Sequence, residues 1–365
     1  MLLHLTEILI FSSLLLLSFV MLSNPLQVNK KANFWFGFFL ILWASFWLDE
    51  IVLLIGGNVL TGLAKNVFMY IQFFAPIVFY ISFVFFTNPN FKFKSINIIQ
   101  FFALPLLYLI IKITNSYIEY DLQVLLISLI ILHSIFYTVK SYLKIKKHQR
   151  QIKLFSSSIT EINLKWLEYI IIILLMISLL MGFFNFIYYK LPLNVYINFA
   201  MLITIFFIAY NLLKQKEIFP LNEKHRQAII TISETEKEDV VTKRKIIKDE
   251  ELIEFKSKLN ALMKEQQLYL NHDINVASLS EDMNITTHQL SYIINNGFNQ
   301  NFFQFINSYR VEKAKSLLLN KQADKLSILG IAFESGFSSK TAFNTTFKKF
   351  TNQTPSEFKK QSSSL

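Results

Sequence analysis

The stretch ILGIAFESGFSSKTAFNTTFKKFTNQTPSEFKK, residues 328–360, carries the signals for a turn between two helices. Gly336 can adopt the left-handed backbone conformation that ends a first short helix. Ser339 is typical of a residue that caps the next helix, because its hydroxyl can accept a hydrogen bond from a free backbone N–H group. Phe343 and Phe347 follow at a four-residue interval, which places both rings on one face of that helix. The stretch therefore predicts a helix-turn-helix.

The same arrangement occurs earlier in the sequence. Ser278 and Glu281 predict a capping box that opens a short helix, and Asn284, which tolerates the left-handed conformation, ends it. Thr286 then caps a second helix that runs to Asn295, with apolar residues at a four-residue interval. This part of the chain predicts another helix-turn-helix.

Two further helices complete this region. Apolar residues recur along FFQFINSYRVEKAKSLLL, residues 302–319, which predicts a long helix connecting the two units. Thr354, Pro355 and Glu357 are typical of a helix start, with a threonine cap, a proline in the first turn and a glutamate that bonds back to the cap. The sequence thus predicts an all-helical domain with two helix-turn-helix units on a connecting helix.

This order of motifs resembles the DNA-binding domain of the AraC/XylS family of transcription regulators. The resemblance covers residues 268–360 and is carried by LSEDMNITTHQLSYIIN, by NFFQFINSYRVEKAKSLL and by the stretch quoted first. It implies that the two units read two successive major-groove segments of double-stranded DNA. Family members often have glycine after each recognition helix. Here Asn299 and Asn352 stand at those positions, and asparagine can adopt the same left-handed backbone.

A helix-turn-helix places the N-terminal part of its second helix in the major groove, so the outward side chains of that helix are the candidates for base contacts. The residues expected to contact bases are Thr287, His288, Ser291, Tyr292 and Asn295 in the first unit and Ser339, Lys340, Thr341, Asn344 and Thr345 in the second. The residues expected to contact phosphates are Lys348, Lys349, Lys359 and Lys360. The alternative for each lysine is a solvated surface charge.

The N-terminal half has a different composition. Hydrophobic residues make up 53% of the chain, mean hydropathy is +0.40, and charges are sparse before about residue 213. Apolar runs near the ~20 residues of a spanning helix occupy 3–22, 34–55, 67–86, 96–111, 122–139, 169–188 and 193–213. The sequence predicts a seven-helix transmembrane sensory bundle at 1–213, a charged linker at 214–250 and the AraC-type domain at 251–365. By resemblance, the chain is similar to family variants whose sensory half is a multi-span membrane domain.

Basic residues set the predicted orientation. With the N-terminus outside, the inner loops carry eleven basic residues and the outer loops three, Lys65, Lys112 and Lys190. This predicts a multi-pass protein of a bacterial cytoplasmic (inner) membrane whose DNA-binding domain lies in the cytoplasm. The basic loop at 140–165 is then either ordinary positive-inside charge or a surface that adheres to anionic lipid.

Polar side chains inside the apolar runs are candidates for a signal site. Those placed toward the outer ends of the spans are Glu7, Asp49, Glu50, Gln72, Asn185 and Asn198. An ionisable or amide group in hydrocarbon is unfavourable unless it faces the bundle interior or water. Two interpretations stay open, an outward-facing polar site for a small ligand or membrane partner, and side chains at the level of the lipid headgroups.

Composition and motifs also exclude classes of function. The chain has no cysteine, which excludes disulfides and thiolate metal sites. It has no phosphate-cradling glycine loop, nucleophile elbow or HExxH motif, so we expect no enzyme, cofactor or metal. The formal charge of +11 suits DNA or anionic lipid.

Two functions remain. The first is a membrane-embedded, sequence-specific transcription regulator that couples an outer or intramembrane signal to gene expression, with homodimerisation left open. The second is a transporter or receptor whose helical tail binds a protein partner. An amphipathic helix that begins near Glu251 and includes Leu259 and Met263 either packs on the domain that follows or forms a dimer contact.

Overall fold

The structure is a computed structural model. It describes residues 2–114, 120–160, 162–187, 194–219, 223, 225–231, 247–320 and 325–362. Within these ranges all regular structure is helical, apart from one antiparallel bridge between Ser156 and Asn275. The all-helical class is confirmed. Most of the predicted linker and Lys190 lie outside the described residues, as do the side chains of Lys112 and Asn185.

Packing divides the chain into two units. One consists of Met1–Lys147 with Leu164–Ile218, and the other of His148–Asn163 with Phe219–Leu365. The segment His148–Asn163 therefore belongs to the C-terminal unit although it interrupts the N-terminal one in sequence. The division at 213 and 250 stays a prediction.

The described helices of the N-terminal unit follow one another along the chain in this order. They are α1 Leu2–Ser23, α2 Lys30–Ala44, α3 Leu48–Leu54, α4 Gly62–Gln72, α5 Ala75–Thr87, α6 Ser95–Thr114, α7 Tyr120–Gln151, α8 Lys165–Ile187 and α9 Asn194–Leu213. Helix α1 packs closely on α2, where the Ser18 hydroxyl donates to the Gly37 carbonyl at 2.8 Å. Phe36, Phe39 and Phe79 join α2 to α5 through ring contacts.

Four helical stretches in the described residues are long and apolar enough to cross a membrane. They are Leu2–Ser23, Lys30–Leu54, Ala64–Thr87 and Val195–Leu213. Helices also occupy the other three predicted runs, but the count of seven crossings is not confirmed and stays a prediction.

Two of the four candidate membrane-spanning stretches contain a break in the helix that hydrophobicity alone did not indicate. A 3₁₀ turn at Ser45–Trp47 separates α2 from α3, and the Ser45 hydroxyl bonds back to the Leu42 carbonyl at 2.6 Å. Helix α5 starts anew with Pro76 in its first turn, where the missing proline N–H is not needed.

The described helices of the C-terminal unit carry the predicted double motif. They are α10 Asp249–Glu265, α11 Val276–Asp282, α12 Thr287–Tyr292, α13 Phe302–Leu319, α14 Ile328–Glu334, α15 Lys340–Thr351 and α16 Pro355–Ser362, with a 3₁₀ turn at Leu268–Leu270 and a π-helical turn at Ile293–Gly297. Helices α11 and α12 form the first helix-turn-helix, α14 and α15 form the second, and α13 connects them. Leu259 and Met263 of α10 are fully buried, as expected for a face packed on this domain.

The start of the first helix-turn-helix differs from the prediction. Asn275, not Ser278, caps α11, and its side-chain oxygen accepts from the N–H groups of Ala277 and Ser278 at 3.0 and 3.1 Å. The Ser278 hydroxyl completes the capping box from the third helical position, at 3.2 Å from the Asn275 nitrogen. The predicted box of Ser278 with Glu281 is therefore wrong. Asparagine caps a helix as well as serine does, so helix formation simply begins three residues earlier.

The helix predicted to run to Asn295 is α-helical only to Tyr292, but the predicted left-handed residues and the other predicted caps of this unit are confirmed. Asn284, Asn299 and Asn352 have φ values of 55°, 54° and 61°, and Gly336 has a φ of 84°. Thr286 caps α12, accepting from the Gln289 nitrogen at 3.2 Å. Other predicted caps are Ser339 on α15 and Thr354 with Glu357 on α16.

Candidate nucleic-acid interface

Helix α15 has one buried and one solvent-facing side. Ala342, Phe343, Thr346 and Phe347 point inward, and the two phenylalanines pack in a core with Val311, Ala314, Leu318, Ile331, Ala332 and Phe337. This burial fixes the rotation of the helix about its axis. The opposite side exposes the predicted base-contacting residues Lys340, Thr341 and Thr345, with Asn344 partly exposed. The Ser339 hydroxyl is occupied as the cap, accepting from the Ala342 nitrogen at 3.2 Å.

Helix α12 presents a less exposed candidate surface. Leu290, Ile293 and Ile294 are buried, while Thr287, His288, Ser291 and Tyr292 are partly exposed. Asn295 is exposed but lies in the π-helical turn. Because a π-helical turn has more residues per turn than an α-helix, Asn295 does not continue the α-helical face of Ser291. The first unit therefore offers a smaller α-helical reading surface than the sequence indicated.

Basic residues gather at the C-terminal ends of α15 and α16. Lys348 and Lys349 lie in the last turn of α15, and Lys359 and Lys360 lie in the last turn of α16. Lys348, Lys349 and Lys360 are exposed, and Lys359 is partly exposed. Residues 340–362 contain five lysines and a single acidic residue, Glu357, so this surface is strongly positive.

Lys349 and Glu357 each make a contact that bears on their charge. The Lys349 Nζ lies 5.8 Å from the centre of the Phe303 ring, which orients that ammonium group along the domain surface. The Glu357 carboxylate accepts from the Thr354 nitrogen at 2.7 Å, and this hydrogen bond lowers the pKa of Glu357.

Gly336 allows the turn of the second unit to approach the backbone of another segment. A Cβ atom at this position would lie 2.5 Å from the Tyr269 carbonyl oxygen and 2.8 Å from the Leu270 Cα. The sequence indicated the left-handed φ but not this close approach. Only glycine meets both requirements, so the turn that leads into α15 is held against residues 268–270.

Arg310 of the connecting helix is a buried charge that sequence reasoning missed. It is 1% exposed, and its Nε and Nη2 atoms donate to the carbonyls of Tyr269 and Asn271 at 2.7 and 2.8 Å. Its guanidinium carbon lies 5.8 Å from the centre of the Phe337 ring. Burial lowers the pKa of Arg310 to about 9, which still leaves the group charged at neutral pH. The spacing of Arg310 could have indicated its burial, because it lies four residues from both Ile306 and Ala314 on the apolar stripe.

The polar residues of the N-terminal unit form separate hydrogen-bonded pairs. The Asn198 amide donates to the Thr6 hydroxyl at 3.0 Å, next to the buried Glu7, which lies 3.2 Å from the His4 ring. The Gln72 amide donates to the Ser45 carbonyl at 3.1 Å.

The other members of the predicted signal site are not joined to these pairs by any described contact. Asp49 is partly exposed and Glu50 exposed in the first turn of α3. The side chain of Asn185 is outside the described part of the chain. A common site for all six residues stays a prediction.

Comparison with known proteins assigns the C-terminal helix-turn-helix region to a class. Residues 279–361 match the family model described as a helix-turn-helix domain. The chain is 32% identical over 102 residues to an uncharacterized HTH-type transcriptional regulator of Staphylococcus aureus (strain COL), covering 28% of this chain and 13% of that protein. It is 33% identical over 105 residues to an uncharacterized HTH-type transcriptional regulator of Pseudoalteromonas carrageenovora, covering 29% of this chain and 60% of that protein. No solved structure matches the chain.

These similarities concern the C-terminal domain. The chain spans about an eighth of the length of the staphylococcal relative and about three fifths of the Pseudoalteromonas one. Two helix-turn-helix units on one connecting helix, together with the matched residues, define the class. The C-terminal domain is an AraC-type helix-turn-helix domain, as the sequence resemblance implied.

Proposed function

We propose that this chain is a membrane-embedded, sequence-specific DNA-binding transcription regulator that couples an outer or intramembrane signal to gene expression. The observation that carries the proposal is the exposed polar side of α15, set on a fully buried aromatic core and flanked by lysines. A helix held in this way can enter the major groove without rearranging its own packing.

Each exposed side chain of α15 suits a particular contact. Lys340 can donate to guanine, Asn344 can pair bidentately with adenine, and the Thr345 methyl group can meet thymine. Lysines Lys348, Lys349, Lys359 and Lys360 neutralise phosphates and add affinity that depends on salt rather than on sequence. The first unit contributes Thr287, His288, Ser291, Tyr292 and Asn295, none of which is a lysine or an arginine.

Membrane embedding is supported by the surface of the N-terminal unit. Most outward side chains of α1 and α9 are apolar, with Phe19 and Leu16 68% and 66% exposed, and Ile203 70% exposed. Many large apolar side chains exposed along long helices favour contact with lipid rather than with water. In the proposed topology the N-terminus is outside and the AraC-type domain is in the cytoplasm, where DNA is accessible.

A selection experiment with the full-length protein tests this function. The protein in lipid nanodiscs is mixed with random duplexes, bound duplexes are recovered and amplified, and the affinity of the enriched duplex is measured at several salt concentrations. We expect one enriched sequence with two recognised segments, bound far more tightly than a shuffled duplex of the same composition, with affinity falling steeply as salt rises. Failure to enrich any duplex at low salt would contradict the proposal and favour a tail that binds protein.

A further inference from the structure

The loop between α7 and α8 is part of the DNA-binding unit. Residues His148–Asn163 belong to that unit, and Ile152, Phe155 and Ser157 are 0%, 3% and 2% exposed. The Phe155 ring stacks on that of Phe219, with ring centres 5.8 Å apart. The sequence left open two interpretations of this loop, ordinary positive-inside charge or a surface that adheres to anionic lipid. Instead its central apolar residues and Ser157 are buried in the C-terminal unit, while Ser156 and Ser158 are partly exposed. We call Phe155–Ser158 the serine clasp.

The serine clasp contacts the start of the first helix-turn-helix. The Val276 nitrogen donates to the Phe155 carbonyl at 2.9 Å, and Ser156 forms the antiparallel bridge with Asn275. The Ser157 hydroxyl donates to the Ile274 carbonyl at 2.9 Å. Since Asn275 is the cap of α11, these bonds hold the backbone from which the first unit begins.

The serine clasp also satisfies buried polar groups of the connecting helix. The Asn307 amide donates to the Ser157 carbonyl at 2.9 Å, and the Arg310 Nη2 donates to the Ser157 hydroxyl oxygen at 3.0 Å. Asn307 and Arg310 are each 1% exposed. Loss of a partner inside a buried, charged hydrogen-bond network is strongly unfavourable, so the connecting helix depends on the loop for its local stability.

A third contact reaches the second helix-turn-helix. The Ser158 and Ser338 hydroxyl oxygens lie 2.9 Å apart, and Ser338 immediately precedes Ser339, the cap of the recognition helix α15. Arg310, which bonds Ser157, lies over Phe337 in the same turn. Three consecutive residues, Ser156 to Ser158, therefore join the first unit, the connecting helix and the second unit.

The serine clasp leaves the candidate DNA surface open. Lys340, Thr341 and Thr345 stay exposed while Ser158 is bonded to Ser338. A bound loop therefore does not block the recognition helix. It instead fixes the arrangement of two units that must fit two segments of one duplex together, and such pre-organisation raises affinity.

We propose that the serine clasp is the element through which the membrane unit controls DNA binding. Its seating between Asn275, Arg310 and Ser338 sets the relation of the two helix-turn-helix units and gives high affinity for a two-segment duplex. Because the loop is covalently continuous with α7 and α8, movement of those helices acts on it directly. When the clasp leaves this position, Arg310 and Asn307 lose their hydrogen bonds to Ser157. The arrangement of the two helix-turn-helix units on the connecting helix is then less tightly fixed. This inference rests on the proposed function and names its means of regulation.

The experiment uses full-length protein in nanodiscs and exploits the absence of cysteine from the chain. Ser158→Cys with Ser338→Cys should form an intramolecular disulfide on mild oxidation, since the two side-chain oxygens are within the reach of a disulfide. The matched control pairs Ser158→Cys with Ser257→Cys, which is exposed on α10 and should not cross-link.

Binding measurements then test the role of the clasp. Ser157→Ala should weaken binding to the two-segment duplex about tenfold, but weaken binding much less when one segment is scrambled. The control Ser308→Ala removes a hydroxyl that donates to the Phe305 carbonyl within its own helix, and should leave both affinities unchanged. Combining Ser157→Ala with the oxidised cross-link made by Ser158→Cys and Ser338→Cys should restore the lost affinity.

The outcomes separate the two proposals. The inference is overturned if the cysteine pair fails to cross-link, or if Ser157→Ala weakens binding to both duplexes equally or not at all. It is also overturned if the disulfide does not restore affinity. In each case, specific binding by the unaltered protein still supports the proposed function. If the unaltered protein selects no duplex, the proposed function fails. The clasp as a regulator of DNA binding then falls with it, and the cross-link yield still reports whether the loop is seated.

Discussion

Gly336→Ala is expected to destabilise the second helix-turn-helix by about 2–5 kcal/mol, from two separate effects. The φ of 84° is a left-handed backbone, which costs a residue with a Cβ atom about 1–2 kcal/mol. The added Cβ would also lie 2.5 Å from the Tyr269 carbonyl oxygen and 2.8 Å from the Leu270 Cα. Because both are backbone atoms, they cannot move aside as a side chain can. Overpacking of this kind costs about 1–3 kcal/mol.

Hydrogen exchange measured by mass spectrometry on the full-length protein gives the free energy of opening for α14 and α15 separately from the membrane helices. The matched control is Gly330→Ala in the middle of α14, where the nearest neighbours of an added Cβ lie at 3.6 Å. Alanine is the better helix former, so this control should stabilise the same unit by about 0.5–1 kcal/mol. A loss below about 0.5 kcal/mol for Gly336→Ala, or equal effects of the two changes, would refute the close approach to residues 268–270.

Three further predictions concern other parts of the chain. Asn352→Ala should destabilise the end of α15 by about 1 kcal/mol, measured by hydrogen exchange, because alanine tolerates a φ of 61° less well than asparagine; no change would contradict the left-handed cap. In the folded domain the pKa of Glu357 lies below its ordinary value of 4.5. Its charge therefore stabilises the folded domain above pH 4.5, and this stabilisation is lost as the pH falls through the folded-state pKa. The thermal stability difference between the unaltered protein and Glu357→Gln should shrink below pH 4.5, and a difference that grows there would reverse the sign. A reporter enzyme fused after Lys214 should be active in the cytoplasm, whereas activity outside would refute the proposed topology.

Local signals predicted much of the C-terminal domain because its turns and caps depend on neighbouring residues. The left-handed asparagines, the Ser339 cap and the paired phenylalanines of α15 all act within about one helical turn. The four-residue spacing of Phe343 and Phe347 by itself indicates which side of α15 faces solvent. For this reason the exposed Lys340 and Thr341 could be selected as candidates from the sequence alone.

The features that escaped prediction depend on residues far apart in the chain. Arg310 is buried because carbonyls from residues 269 and 271 and the distant Ser157 surround its guanidinium group. The burial of Ser157 in the loop at 148–163 likewise needs groups that lie more than a hundred residues away in sequence, such as Ile274. Periodicity within a window cannot report such partners. The cap at Asn275 was missed for a smaller reason, since two residues near α11 could both act as caps.

The central claim, that α15 reads base sequence, is tested most directly by comparing Lys340→Ala with Lys348→Ala on the selected duplex and on its single-base variants. Lys340 is exposed at the first position of α15, and Lys348 is exposed in its last turn. We expect Lys340→Ala to alter discrimination at one or a few base pairs by about 1–3 kcal/mol, and Lys348→Ala to weaken all duplexes alike and reduce the salt dependence. Identical effects of the two variants on every duplex would contradict the account.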